Sequence, residues 1–263
     1  MSVELFPIVT FWMGKSLSAI EIASLLSMQK AGHRVVLFSY ERPADIPEGI
    51  DWQNAAEVLP RGDFVFYKGS NPALGADLFR YRLQARELGL WLDTDILLLK
   101  PVVRQEHEVY GWQDDVRINN AVLYLQPGSP VLRDLLAYTG DNYPVPPFVD
   151  QSVQRQLVMA KRAGTPVHVS QMPWGVWGPF ALTHFVKTNG LEKHASPPEV
   201  FYPIHFSEPH RLVTRGGQVE KAITDATLGV HLWNNNLRKP PKTGPAAPAG
   251  MVRVEKDSFF ERF

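Results

Sequence analysis

The 263-residue sequence contains no cysteine. A disulfide scaffold, thiol catalysis and cysteine-ligated zinc are therefore excluded, and the composition fits a cytoplasmic protein. There is also no excess of charge, since 27 Lys+Arg balance 27 Asp+Glu. This speaks against a general binder of nucleic acid or of anionic membranes, although local basic patches remain open. Long apolar runs are missing as well. The stretch around Ile96–Leu99 and the first strand fall far short of the roughly 20 residues that a spanning helix needs. The opening Met1-Ser-Val-Glu-Leu-Phe-Pro has no basic region followed by a long apolar one. No transmembrane or leader segment is expected, and the reading is cytoplasmic with peripheral membrane contact left open. What the chain does have is apolar side chains, at 44%, and aromatics, at 11%. That is enough apolar surface to offset the ordering entropy of one large α/β domain.

The hydrophobic pattern starts as strand, helix, strand. Val3–Trp12 reads as a buried strand. Ser18 and Glu21 form a capping-box pattern ahead of Ile20, Ala23, Leu25 and Met28 at helical spacing. Gly32 closes that helix, and Val35-Val36-Leu37-Phe38 begins the next strand. Such a start implies parallel strands covered on both faces. Residues 41–75 are punctuated by Pro and Gly and hold only short elements, near Asn54–Leu59 and Phe64–Lys68. A helix over Gly75–Leu88 follows. Strands are expected at Leu90–Leu92, Ile96–Leu99, Val109–Trp112, Ala121–Leu125 and Gly229–Trp233, with helices at 130–138, 150–163 and 180–188. From Leu237 the chain turns to Pro, Lys, Ala and Gly, with six basic residues against three acidic, and Phe259 and Phe260 are able to fold back. The expected organisation is one α/β domain with a mixed central sheet over residues 1–236 and a tail over 237–263.

The chemistry concentrates in Leu90-Trp91-Leu92-Asp93-Thr94-Asp95-Ile96-Leu97-Leu98-Leu99. Two carboxylates two residues apart lie between two apolar runs. Each would cost several kcal/mol if buried alone, so the pair calls for a compensating cation. Carboxylate oxygens suit Mg²⁺ or Mn²⁺, which also bind phosphate oxygens. The bland alternative is a solvated turn. Upstream, Asp77 and Arg80 are three apart on one helical face. They can face the same pocket, or form an ordinary surface ion pair.

Asp77-Leu-Phe-Arg80-Tyr-x-x-Leu83, then Gly89-x-Trp91-Leu-Asp93-Thr-Asp95, resembles the signature of the DXD sugar-binding glycosyltransferases grouped as family 32. The same acid, arginine and DXD order occurs in the clostridial glucosylating toxins. Phe11-Trp12, Asn120-Ala121, Trp177-Gly178-Pro179 and His231-Leu-Trp233-Asn234 extend the resemblance over most of the chain to residue 236. It implies a GT-A fold, a nucleotide-sugar donor, a divalent cation (Mn²⁺ or Mg²⁺) and hexosyl transfer with retention. By motif position, Asp77, Arg80, Asp93 and Asn120 are the candidate catalytic residues. Phe11, Trp12, Asp77, Arg80, Asp93 and Trp233 are the candidate donor contacts, with the Trp233 indole N–H offered to a phosphate. Asp93, Asp95 and His231 are the candidate metal ligands.

Several of these residues keep a second reading. Phe11 or Trp12 can stack on uracil or pack in the core. Asn120 can meet the sugar or cap a strand end. His231 can ligate metal or pack in a strand. Trp174-Gly-Val-Trp177-Gly-Pro179 is a candidate acceptor wall or core. The donor implied is a UDP-sugar, with GDP-mannose the competitor, and the acceptor a carbohydrate or lipid-linked hydroxyl. The alternative function is a catalytically inactive nucleotide-sugar or glycan-binding module. A pyrophosphorylase would need a Gly-rich basic loop, and Phe11–Ser18 carries one Gly and one Lys.

Overall fold

The computed structural model describes residues 4–239 and 252–263. Strand β1 (Ile8–Phe11), helix α1 (Ala19–Lys30) and β2 (Val35–Ser39) form the expected opening, with β1 and β2 parallel. The capping box at Ser18 and Glu21 is present, and Gly32 takes the positive φ that ends the helix. The first strand is shorter than its apolar run. It extends only where β2 and β4 flank it, and Leu5 makes an isolated bridge to Val103. Strand β3 (Asp51–Asn54) adds to the outer edge of β2.

Helix α2 (Ala73–Gln84) begins earlier than expected because the Asn71 side chain accepts the Ala73 N–H. It ends earlier because the chain reverses through Glu87 and Gly89, both at positive φ. Gly89 cannot carry a side chain, since a Cβ would stand 2.2 Å from the Pro7 carbonyl oxygen. Strand β4 (Leu90–Leu92) lies parallel to β1, and β5 (Ile96–Leu98) leaves the sheet. Strands β6 (Val109–Trp112) and β7 (Ile118–Tyr124) form an antiparallel hairpin. Helices α3 (Pro130–Thr139), α4 (Gln151–Arg162) and α5 (Pro179–Thr188) follow. The short β8 (Ala195–Ser196), α6 (Pro198–Phe201), β9 (Gly229–His231) and α7 (Asn234–Leu237) complete the labelled elements.

The result is an α/β fold on a seven-stranded mixed sheet in the order β3-β2-β1-β4-β7-β6-β8, with a separate ribbon of β5 and β9. One apolar cluster joins the sheet to α2, α3 and α5, and another joins it to α1. A third gathers around β5, β9 and the chain end, where Phe259 and Phe260 fold back onto Leu97, Ile204 and Leu212. Most of the Pro/Lys-rich part of the expected tail, residues 240–251, lies outside the described residues, as do residues 1–3. Among the described residues, no helix is long and apolar enough to cross a membrane.

Candidate functional site

The Asp93-Thr94-Asp95 turn carries the chain from one sheet to the other. It leaves the carboxyl end of β4, the end at which open α/β sheets place their ligands, and enters the β5–β9 ribbon. The Asp93 N–H donates to the Ala121 carbonyl at 2.8 Å, and the Leu232 N–H donates to the Asp95 carbonyl at 2.8 Å. Trp91, Leu92, Ile96 and Leu97 are all buried. The apolar flanks thus anchor the turn on both sides, and its carboxylates are held at a cleft.

Asp77 and Arg80 project from α2 beneath this turn. The Arg80 guanidinium is buried, 3.2 Å from Asp93 Oδ1 and 3.6 Å from Asp77 Oδ1. It also donates to the Asn120 carbonyl and lies 4.7 Å from the centre of the Trp91 ring. Asn120 Nδ2 donates to Asp77 Oδ1 at 2.8 Å, and the Trp91 indole donates to Asp93 Oδ1 at 2.6 Å. Burial pushes the Asp77 carboxyl up to about 6 against the opposing pull of Arg80 and Asn120. Burial raises Asp93 too, against Arg80. Gly178 closes over this floor. A Cβ there would come within 2.8 Å of Asp77 Oδ2, so only glycine lets the chain pass. The neighbouring Trp177 carbonyl accepts the Tyr81 hydroxyl at 2.8 Å.

Asp95 faces different company. Its Oδ1 is 3.2 Å from His231 Nε2, because β9 pairs antiparallel with β5 and sets His231 opposite Ile96. Its Oδ2 accepts the Asn234 N–H at 2.9 Å. Burial alone would raise this carboxyl, but His231 and the Asn234 N–H outweigh it and hold it low. Asp93, Asp95 and His231 each offer a ligand atom, all within 4.8 Å of one another. Two carboxylate oxygens and an imidazole nitrogen suit a divalent cation. His231 Nδ1, across the ring from the nitrogen that meets Asp95, is buried with no partner. These residues fit a metal ion.

All nine residues singled out from the sequence line one cleft of about 830 Å³. Two of them are not placed as expected. The Trp233 indole N–H does not face a phosphate site. It donates at 2.8 Å to the Ile204 carbonyl, and the ring packs against His231 at a tilt of 43° with centroids 4.0 Å apart. The left-handed turn at Trp233 instead aims the Asn234 N–H at Asp95. Phe11 is core, packed on Phe64 and Phe79 at 5.6 and 4.8 Å, with only its edge at the cleft. Trp12 is half-buried at the cleft wall, its N–H bound to the Ser16 carbonyl. Asn120 is no strand-end cap. It lies inside β7, which starts three residues before the expected position.

The expected aromatic wall divides. Trp177 is fully buried, whereas Trp174 is 46% exposed at the cleft, edge-on to Tyr67 at 5.2 Å. The sequence reading missed Gln113, Arg117 and Asn119 from the β6–β7 hairpin and Asn236, Arg238 and Lys239 from the α7 end. The only linear signal for the second group was the polar run after His231-Leu-Trp233. The first group had none, since turn residues of a hairpin look alike whether or not they meet a cleft.

No family model and no curated protein matches this sequence. Among solved structures the chain is similar to "PaToxG Glycosyltransferase", at 10% identity over 71% of this chain and 69% of that one, with a TM-score of 0.43. A likeness of that size bears on neither chemistry nor substrate.

Proposed function

We propose that this chain is a metal-dependent, retaining glycosyltransferase of GT-A fold. It moves a hexosyl group from a nucleotide-diphosphate sugar, a UDP-sugar ahead of GDP-mannose, to a carbohydrate or lipid-linked hydroxyl. The observation that carries this reading is convergence. Asp77, Arg80, Asn120, Asp93, Asp95 and His231 come from α2, β7, β9 and the β4–β5 turn and line one cleft. The family 32 resemblance of the same residues supports it.

Asp93, Asp95 and His231 would hold Mn²⁺ or Mg²⁺, which when bound neutralises diphosphate charge as the leaving group departs. Asp77 and Asn120, fixed by Arg80, offer an acceptor and a donor to sugar hydroxyls. Trp12 offers a flat face at the mouth of the cleft. In the transfer, the acceptor oxygen bonds to the anomeric carbon as the bond from that carbon to the β-phosphate oxygen breaks. The acceptor proton passes to the departing diphosphate. No side chain is assigned as nucleophile, in keeping with attack on the face the diphosphate leaves.

Thermal unfolding of wild type and Asp95→Asn with UDP or GDP, in Mn²⁺ or EDTA, tests the donor site. A ligand at 100 times its Kd adds about 2.7 kcal/mol, roughly 5–10 °C at 2–4 °C per kcal/mol. The expected result is a Mn²⁺-dependent rise with one nucleotide, lost in Asp95→Asn, together with slow UDP-sugar hydrolysis by wild type. Absence of both the shift and the hydrolysis would overturn the reading.

A further inference from the structure

Four cationic side chains line the cleft: Arg80, Arg117, Arg238 and Lys239. Three are already committed. Arg80 pairs with Asp77 and Asp93. Arg238 donates to Asn234 Oδ1 and sits 3.7 Å from Glu21, and Lys239 donates to Asn236 Oδ1. Arg117 is different. Among the described residues its guanidinium makes no hydrogen bond and no ion pair within 4.0 Å. The nearby Asp114 carboxylate is turned into the hairpin, where it accepts the N–H groups of Val116 and Arg117 and the Gln113 amide. The Arg117 guanidinium lies 4.3 Å from the centre of the Phe180 ring. That contact orients the planar fork without using any of its five N–H donors.

The hairpin that carries Arg117 is itself fixed. Asn119 Nδ2 donates to Gln113 Oε1 at 2.7 Å, and Gln113 Nε2 donates to Asp114 Oδ2 at 3.0 Å. The Ile118 N–H donates to Thr183 Oγ1 on α5 at 2.9 Å. The cation is thus held on a rigid wall three residues before Asn120. Phe180, beneath it, is two residues after Gly178, where a Cβ would run into the Asp77 carboxylate. The half-exposed Trp174 lines the same cleft.

We infer that the acceptor is an anionic glycoside. Its phosphate or carboxylate is held by the Arg117 fork, and its pyranose ring lies on the Trp174 face. Charge-assisted bidentate pairing is the recognition for which a free guanidinium is built, and an aromatic face suits the C–H side of a sugar. This rests on the glycosyl-transfer reading, because it names the substrate class for the acceptor side of that site.

The test measures binding by titration with saturation-transfer NMR on the full chain with Mg²⁺ and UDP. The probes are methyl hexoside 6-phosphates, methyl hexuronides and neutral methyl hexosides, applied to wild type, Arg117→Gln and Trp174→Ala. At least one anionic class is expected to bind wild type tenfold or more tighter than its neutral counterpart. Arg117→Gln should erase that preference, reducing the affinity for the anionic probes to that of the neutral ones. Trp174→Ala should weaken charged and neutral probes alike. Binding of the phosphate class alone identifies a phosphorylated acceptor, and binding of the uronide alone an acidic sugar. A preference that survives Arg117→Gln, or no binding of either anionic class, overturns the inference. UDP-sugar hydrolysis without acceptor reports the donor half separately, so its absence would strike the glycosyl-transfer reading and leave the Arg117 result standing on its own.

Discussion

Asp93 and Asp95 lie two residues apart on one turn, yet they belong to two unlike regions. Asp93 joins a floor in which nearly every polar atom is matched. Arg80 bridges it to Asp77, Trp91 donates to it, and Asn120 ties Asp77 to the sheet. Asp95 joins a wall with fewer partners, where its carboxylate meets the His231 ring and the Asn234 N–H and no arginine. A saturated ionic network holds geometry, because any change leaves a buried charge uncompensated. An unsaturated one of carboxylate and imidazole still has valence for a ligand. The floor presents Asp77, Asn120 and Asp93 in a fixed geometry, and the wall adds Asp95 and His231 with fewer partners of their own.

The strongest way to break this comparison is at the centre of the floor. Arg80→Met strips the compensating cation from the buried Asp77 and the half-buried Asp93 and is expected to destabilise the fold by about 3–5 kcal/mol in urea unfolding. A loss below about 1 kcal/mol would mean that the floor is not the rigid part. Asp95→Asn addresses the wall. The amide oxygen can still accept the Asn234 N–H, so stability should change little, while metal-dependent turnover is lost. Comparable losses of stability in the two variants would erase the distinction.

The two regions should also respond to pH with opposite sign. The Asp77 carboxyl is raised in the folded protein to about 6, so the fold binds more protons than the unfolded chain between pH 4 and 6. Its stabilising effect is present at low pH and is lost as pH rises through about 6, on the order of 1–3 kcal/mol. Asp93 has the same sign. Asp95 is held low, so its effect is present at higher pH and lost as pH falls. Urea unfolding in EDTA should show a slope between pH 4 and 6 that flattens in Asp77→Asn, whereas the stability that Asp95 contributes is lost only on acidification below the ordinary carboxylate range. The smallest expected effect is at Trp233. Trp233→Phe removes the N–H bound to Ile204 and keeps most of the ring, so it should cost about 1 kcal/mol and change turnover little. A collapse of turnover would return the indole to the phosphate site.

The legible part of the site was its local part. Asp77 with Arg80 follows from helical spacing, and Asp93 with Asp95 from two acids between apolar runs. Both patterns are short-range; Asp77 and Arg80 are buried, and Asp93 and Asp95 are half-buried at the cleft. His231 and Trp233 were found only by resemblance, and their roles differ. His231 reaches the cluster through strand pairing, whereas the indole of Trp233 turns to a carbonyl that no local pattern foretells. Asn120 was read as a sugar contact by resemblance, with a strand-end cap as the alternative, because the expected strand began at Ala121. Inside β7 the Asn120 and Asn119 side chains find partners, at Asp77 and Gln113, and those bonds outweigh the weak strand preference.

The sequence by itself determined the α/β alternation, the capped first helix, the apolar walls of the Asp93–Asp95 turn and the need for charge compensation there. These follow from periodicity and from the cost of burying a lone carboxylate. Only the tertiary structure decided which partner each carboxylate received. It matched α2 to Asp93 and β9 to Asp95, and it left Arg117 oriented on Phe180 with its donors free. Those outcomes depend on strand order and register between segments far apart in the chain, which are fixed by packing the whole sheet at once.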